Sequence, residues 1–299
     1  MNKNVIVKGC GGLGNRICPI LSLINIQKTF KFNIILVWTS ESFKTKNGEI
    51  LLNDDTDKII DSDFFTKIKE SEISKFNKIY KVEIDSYKTI NLELLLEKYD
   101  NILICNRWSL INNDINIINK WIPYTKKRQT YVKDEYLEML NMATKNITYS
   151  KNILDIVEKN MHIVNNQITL GIHIRGSDNS QTSFYRSDNP EKNDNSYDKL
   201  TEICDNFFKD NQNGKIFLIT PKPHIENVMK QKYDDNILTL NYHKKKHYEK
   251  DRSEIGGLEF ALAELLLYSK CKKLIGTAGS SFSFLGWLHS DCKEYETLF

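Results

Sequence analysis

Short apolar runs of strand length alternate along this chain with stretches whose apolar residues recur at helical spacing. Val5–Val7, Phe32–Trp38, Ile102–Cys105, Ile168–Ile174, Lys215–Thr220, Ile237–Leu240 and Lys273–Gly276 read as strands. Ile17–Phe30, Asp63–Glu70, Leu92–Tyr99, Tyr131–Asn141, Asn152–Met161, Tyr197–Lys209, His224–Tyr233, Leu258–Ser269 and Phe282–His289 read as helices. Such alternation predicts parallel sheets covered by helices, an α/β protein. The chain of 299 residues is long enough for one large domain or two medium ones. The alternation restarts after residues 142–167. We therefore expect two Rossmann-like domains, 1–150 and 151–299, with their parallel sheets facing a cleft.

Composition narrows the function. Hydrophobic residues make up 40% and charged residues 27%, ordinary for a soluble globular protein. A net charge of +3 is too small to point to nucleic acid as a partner. No apolar stretch approaches the roughly 20 residues of a membrane span, and a strand begins almost at once with no signal peptide before it. The six cysteines are scattered, with no C-x-x-C pair, and read as small core residues. Together these predict a cytoplasmic protein. Asp61-Ser62-Asp63 spells a D-x-D pair, yet Asp63 as a helix N-cap accounts for it as well as a metal does. No metal and no resident cofactor is expected.

The run Leu170-Gly-Ile-His173-Ile-Arg175-Gly-Ser-Asp178 carries the sharpest chemical signal. A buried strand ends in His, Arg and Asp, and open α/β sheets bind ligands at the carboxyl ends of their strands. Arginine is scarce here, only Arg16, Arg107, Arg128, Arg175, Arg186 and Arg252, in a chain that uses lysine for ordinary surface charge. A strand-end Arg175 thus points to bidentate capture of phosphate or carboxylate. Asp178 would orient it or accept a proton. A plain salt bridge at the strand end is the structural alternative.

Two further runs empty a strand into a helix start. In Val5-Ile-Val-Lys-Gly9-Cys-Gly11-Gly12-Leu-Gly14-Asn15-Arg16, glycines allow close backbone approach and the helix offers free N–H groups to an anion. Gly9, Gly11 and Gly14 satisfy G-x-G-x-x-G, which opens a dinucleotide reading. The acid expected at the end of the second strand is missing, since Val37-Trp38-Thr39-Ser40 precedes Glu41. In Lys273-Leu-Ile-Gly276-Thr277-Ala-Gly-Ser280-Ser281-Phe282-Ser283, hydroxyls and N–H groups are placed to hold a diphosphate, or Ser simply caps the helix. Upstream, Arg252-Ser-Glu-Ile-Gly256-Gly257 leads into a helix with Glu259 and Glu264. The polar stretches Asn179–Asn195 and His243–Ser253, the latter with Lys244-Lys245-Lys246, read as lids, binding loops or solvated turns.

Gly11-Gly12-Leu-Gly14-Asn15-Arg16, His173-Ile-Arg175-x-x-Asp178-Asn179 and Ser280-Ser281-Phe282-Ser283, in this order and spacing, resemble the fucosyltransferase superfamily. It holds the nodulation, core α-1,6- and protein O-fucosyltransferases. The resemblance implies a GT-B fold and an inverting, metal-independent transfer of fucose from GDP-fucose to a glycan acceptor. By position, Arg175 would contact the diphosphate and His173 would lie against the nucleotide. Ser280, Ser281 and Phe282 would line the phosphate and base pocket, with Thr220, Arg252 and Glu264 also on the donor side. Gly12, Gly14, Asn15 and Arg16 would approach donor or acceptor from the N-terminal domain.

The chain also departs from that pattern. Thr220-Pro221-Lys222 stands where relatives show Thr-Asp or Ser-Asp, and Gly176 replaces a second Arg. No Glu follows Asp178. Asp178 is therefore the candidate base and Asp188 the runner-up. An NAD(P)-linked oxidoreductase using the Gly9–Gly14 loop, and a catalytically silent nucleotide- or glycan-binding relative, stand as alternatives.

Overall fold

A computed structural model of the chain describes residues 3–9, 13–38, 59–61, 64–84, 90–106, 118–120, 131–132, 134–165, 168–175, 194–240, 255–277, 280–291 and 295–298. It divides into two compact units, Met1–Asp155 with His247–Leu262, and Ile156–Lys246 with Ala263–Phe299.

The first unit is built on β1 (Asn4–Gly9), α1 (Leu13–Gln27), β2 (Asn33–Trp38), β3 (Thr66–Ile68), β4 (Ile79–Ile84), α2 (Leu92–Lys98) and β5 (Asn101–Asn106). Its five strands run in the order β3-β2-β1-β5-β4, every pair parallel. Val5 lies in register with Ile34 on one side and Ile102 on the other. A central strand buried on both faces requires such a continuous apolar run. Helix α1 is buried from Leu13 to Ile26, because its apolar residues go all the way round rather than along one stripe. A short antiparallel pair, β6 (Ile118–Lys120) and β7 (Tyr131–Val132), precedes α3 (Asp134–Thr144), α4 (Lys151–Asn160) and α5 (His162–Asn165).

The second unit contains β8 (Thr169–His173), α6 (Asp194–Asp210), β9 (Lys215–Ile219), α7 (Pro223–Tyr233), β10 (Ile237–Leu238), β11 (Lys273–Thr277), α9 (Ser281–Leu288) and β12 (Tyr295–Leu298); α8 (Ile255–Tyr268) spans the boundary residue. Its strands run β10-β9-β8-β11-β12, again all parallel. Leu170, Ile172, Ile216, Leu218 and Ile275 face Leu200, Cys204, Ile225 and Met229 in one buried cluster. The chain steps from β8 outward to β9 and β10, then returns to the other side of β8 for β11. The sheet therefore reverses direction between β8 and β11, and ligands of open α/β sheets bind outside the carboxyl ends of the strands at such a point.

Most expected elements form. The helix expected over Asp63–Glu70 does not: Thr66–Ile68 is edge strand β3, followed by a 3-10 turn at Glu70–Lys75. The apolar side of β3 docks Ile68 on the core of Ile6, Ile35, Val37 and Leu103, a tertiary contact that outweighs a weak helical spacing. Likewise Tyr131–Val132 is strand and α3 starts only at Asp134. Strands β4 and β12 were not expected. Among the described residues no helix is long and apolar enough to cross a membrane.

Candidate functional site

The strands β8 and β11 part company at the reversal point. Their ladder ends at the Ile172–Ile275 pair. Beyond it β8 stays with β9, Ile174 N–H donating to Ile219 C=O at 2.8 Å. One hydroxyl bridges the gap: Thr277 Oγ1 donates to the His173 carbonyl at 2.9 Å and accepts from the Arg175 N–H at 2.9 Å. The carboxyl end of β8 is thus tied to that of β11 by a side chain where the backbone ladder has stopped.

Helix α9 starts at the same place. Ser280 is its N-cap, in extended conformation, with its hydroxyl accepting from Ser283 N–H at 3.4 Å. The structural expectation for Ser280 therefore holds. Capping uses the third N–H of the helix and leaves those of Ser281 and Phe282, which have no acceptor within the helix itself. Ser283, fully buried, turns its hydroxyl inward to His173 Nδ1 at 2.5 Å and accepts the Thr277 N–H at 3.2 Å. The Phe282 ring leans on the His173 imidazole, centroids 4.7 Å apart and planes inclined at 37°.

Tyr295 of β12 completes the group. Its hydroxyl is in hydrogen-bonding contact with Ser283, and burial pushes the phenol up, so that it stays protonated. Both residues crowd Gly276: a Cβ there would sit 2.6 Å from Ser283 Cβ and closer still to the Tyr295 hydroxyl. Glycine is the residue that lets them meet.

His173, Arg175, Ser280, Ser281 and Phe282 thus stand together at the carboxyl ends of β8 and β11. His173 and Ser280 are buried and Arg175 is half-buried. None of the ion pairs among the described residues involves Arg175; Asp178, the acid of the strand-end salt-bridge alternative, lies outside them. Thr220, buried at the end of neighbouring β9, accepts the Lys222 N–H at 3.2 Å in a tight turn. Glu264 lies half-buried on α8, and Glu259 accepts from Asn152 at 3.3 Å. In the first unit, Gly14, Asn15 and Arg16 form the start of α1, all buried. Arg16 packs on Gly9, where a Cβ would press on its backbone at 3.2 Å, and the Asn15 amide oxygen is buried without a hydrogen-bond partner among the described residues. One turn further along, Pro19 has no N–H to give the Asn15 carbonyl. Gly12, Asp178, Asp188 and Arg252 lie outside the described residues, as do Ser62 and Asp63 of the D-x-D pair, Lys244–Lys246, and residues 179–193 and 243–253.

The motif reading passed over Thr277 and Ser283, although both stand in the run it singled out. Ser283 sits three residues after the N-cap, on the turn of α9 that faces the strand. Tyr295 gave no signal at all. Cys18 and Cys204 behave as core residues, burial raising both thiols to about 12. Among the described residues no three His, Cys, Asp or Glu side chains gather as metal ligands would.

Two all-parallel α/β sheets, one per unit, each with its first strand at the centre, make this a GT-B fold. Structural comparison finds this fold similar to that of solved fucosyltransferases. The NodZ α-1,6-fucosyltransferase soaked with GDP-fucose, a protein solved from Bradyrhizobium, superposes with a TM-score of 0.55, 13% identity, and coverage of 97% of this chain and 93% of the other. A variant of Arabidopsis thaliana FUT1 in complex with GDP gives 0.61, 11% identity, 100% and 70%. POFUT1 in complex with GDP-fucose gives 0.57, 11% identity, 99% and 98%. At such identities the likeness establishes the fold. No protein-family description and no curated relative matches the sequence.

Proposed function

We propose that this chain is an inverting, metal-independent glycosyltransferase that moves fucose from GDP-fucose to a glycan acceptor. The observation that carries the reading is the meeting of Arg175, His173 and the first turn of α9 at the reversal point of the second unit's sheet. The fold it shares with GDP- and GDP-fucose-bound structures supports the same reading.

The chemistry follows from charge. As the acceptor oxygen attacks, the bond from the anomeric carbon to the diphosphate oxygen breaks and negative charge collects on GDP. Arg175 and the N–H groups of Ser281 and Phe282 receive that charge, fixed in advance by the Thr277 bridge and the Ser280 cap. Phe282, its ring tilted against His173, offers a face to the nucleotide. Asp178 is the base that takes the acceptor proton. Gly12, Gly14, Asn15 and Arg16 are the first unit's candidate contacts to donor or acceptor. Thr220, Arg252 and Glu264 serve the donor side.

A direct test measures GDP released from GDP-fucose, with and without a panel of acceptor glycans and with a chelator present. Acceptor-stimulated release that survives chelation is expected. Stabilisation by GDP without any release supports the silent relative, for which Thr220-Pro221-Lys222 at the donor position argues. Stabilisation by NAD alone supports the oxidoreductase and overturns the proposal.

A further inference from the structure

Thr277 divides its hydrogen bonds between two elements. Its main chain serves α9: the N–H donates to Ser283 Oγ at 3.2 Å, and the C=O accepts the Ser280 N–H at 3.0 Å. Its side chain serves β8: Oγ1 donates to the His173 C=O and accepts the Arg175 N–H, both at 2.9 Å. In an unbroken parallel ladder those two β8 groups would pair with backbone. Here the backbone of residue 277 has turned away to hold the start of α9, and the hydroxyl stands in for it. The directions are fixed, because a backbone N–H can only donate and a carbonyl can only accept. Thr277 is 3% exposed, so bulk water does not compete for its hydroxyl. The position needs one short group that donates and accepts at a single atom, which is a hydroxyl. Valine has the shape of threonine and neither capability.

Strand alternation persists past the ladder, with the Ile174 N–H going to β9 and the Arg175 N–H to Thr277. Residue 175 therefore belongs to the same face of β8 as His173, which meets Ser283 and Phe282 of α9. We infer that Thr277 is a positioning residue that holds Arg175 at a set spacing from the first turn of α9, and so makes the site read two linked phosphate groups rather than one. One group meets the N–H groups of Ser281 and Phe282; the other meets the Arg175 guanidinium. Thr277 touches neither. A monophosphate takes one anchor and can follow it wherever it moves. A diphosphate must span both, so its affinity falls when Arg175 drifts. This role toward phosphate rests on the function proposed above; the joint between β8 and α9 does not.

Thr277→Val removes the hydroxyl at constant shape. In calorimetric titrations GDP binding should weaken about 5- to 10-fold, and GMP binding by no more than about 2-fold. Thr277→Ser restores a hydroxyl and should recover most of the GDP affinity. In the Arg175→Ala background, Thr277→Val should weaken GDP binding by less than about 2-fold more, since both substitutions act through one guanidinium. A loss equal for GDP and GMP, or one that adds in full to that of Arg175→Ala, marks a threonine that only supports the fold and overturns the inference. Unweakened GDP binding by Thr277→Val overturns it too. Hydrogen exchange in the unaltered, ligand-free protein covers the case in which Thr277→Val does not fold. The Arg175 amide should exchange as slowly as that of Ile174, and rapid exchange at Arg175 overturns the joint. Failure of GDP to bind the unaltered chain refutes the glycosyltransferase reading, and the exchange rate still decides the joint.

Discussion

Arg175 is the residue on which the chemistry turns. It is half-buried, its N–H is tied to Thr277, and none of the ion pairs among the described residues takes up its guanidinium. Arg175→Ala should therefore stay folded, with little change in melting temperature, while turnover falls about 100- to 1,000-fold, as when one preorganised charge-stabilising donor is lost. Steady-state kinetics beside a melting curve checks both halves. Arg175→Lys should recover only part of the rate, since an ammonium cannot grip a diphosphate with two parallel N–H bonds. Gly276→Ala acts differently. The new methyl would collide with Ser283 and Tyr295, costing about 1–3 kcal/mol in urea unfolding. Arg175 was legible in the sequence because arginine is rare here and stands at a strand end. The Ser283–Tyr295 contact was not, because the two residues belong to different elements and meet only when β12 joins the sheet.

At the scale of elements, Tyr268 shows how the site is held. This fully buried ring of α8 lies between Gly171 of β8 and Gly286 of α9; a Cβ would approach it at 2.8 Å on one side and 2.6 Å on the other. Two glycines and one large ring thus set the spacing of the strand and helix that carry His173 and Ser283. Gly171→Ala and Gly286→Ala are each expected to destabilise by about 1–3 kcal/mol, read from denaturant midpoints at unchanged m-value. At the other end of α9, burial brings His289 down to about 4 despite its bond to the Leu285 carbonyl at 2.9 Å. A helix C-terminus normally favours a charged histidine; here burial prevails. The unfolded chain then binds the extra proton between about pH 6.5 and 4, so stability is complete above that window and declines as pH falls through it. Allowing for the solvent the ring still meets, the loss is on the order of 1–2 kcal/mol. Unfolding titrations at both ends of the window measure it, and His289→Gln should flatten the slope.

Elements buried on both faces announced themselves: β1, β2, β8, β9 and β11 are continuous apolar runs, and the structure has them within a residue or two. Edge strands did not. In β4 (Ile79–Ile84) Ile79 and Val82 are only half-buried and Lys81 and Tyr80 are exposed, the latter stacked on Tyr99 at 4.1 Å. In β12 four residues suffice because one neighbour, β11, supplies the ladder. Half-buried pieces this short carry too few apolar positions to separate a strand from a turn.

For the molecule as a whole, the two sheets share a plan and differ at one step. In the second unit the strands follow β10-β9-β8-β11-β12, each returning strand added outward; in the first, β5 comes back inside β4 to lie next to β1. In each unit a helix follows a strand next to the reversal, α1 after β1 and α9 after β11, but only β8 and β11 part, β1 staying paired with β5 to Gly9. The charged and aromatic apparatus gathers in the second unit. GDP should consequently stabilise the protein, by about 2.7 kcal/mol at a hundredfold excess over Kd, seen as a rise of several degrees in melting temperature. NAD at the same concentration should leave it unmoved.

The most direct measurement is calorimetric titration of GDP into the unaltered chain and into Arg175→Ala, side by side. The account predicts one-site binding that weakens by about 10- to 100-fold in the variant, the range for a hydrogen bond to a charged group. Equal affinity in both proteins, or no heat with either, would contradict a diphosphate site at the carboxyl ends of β8 and β11.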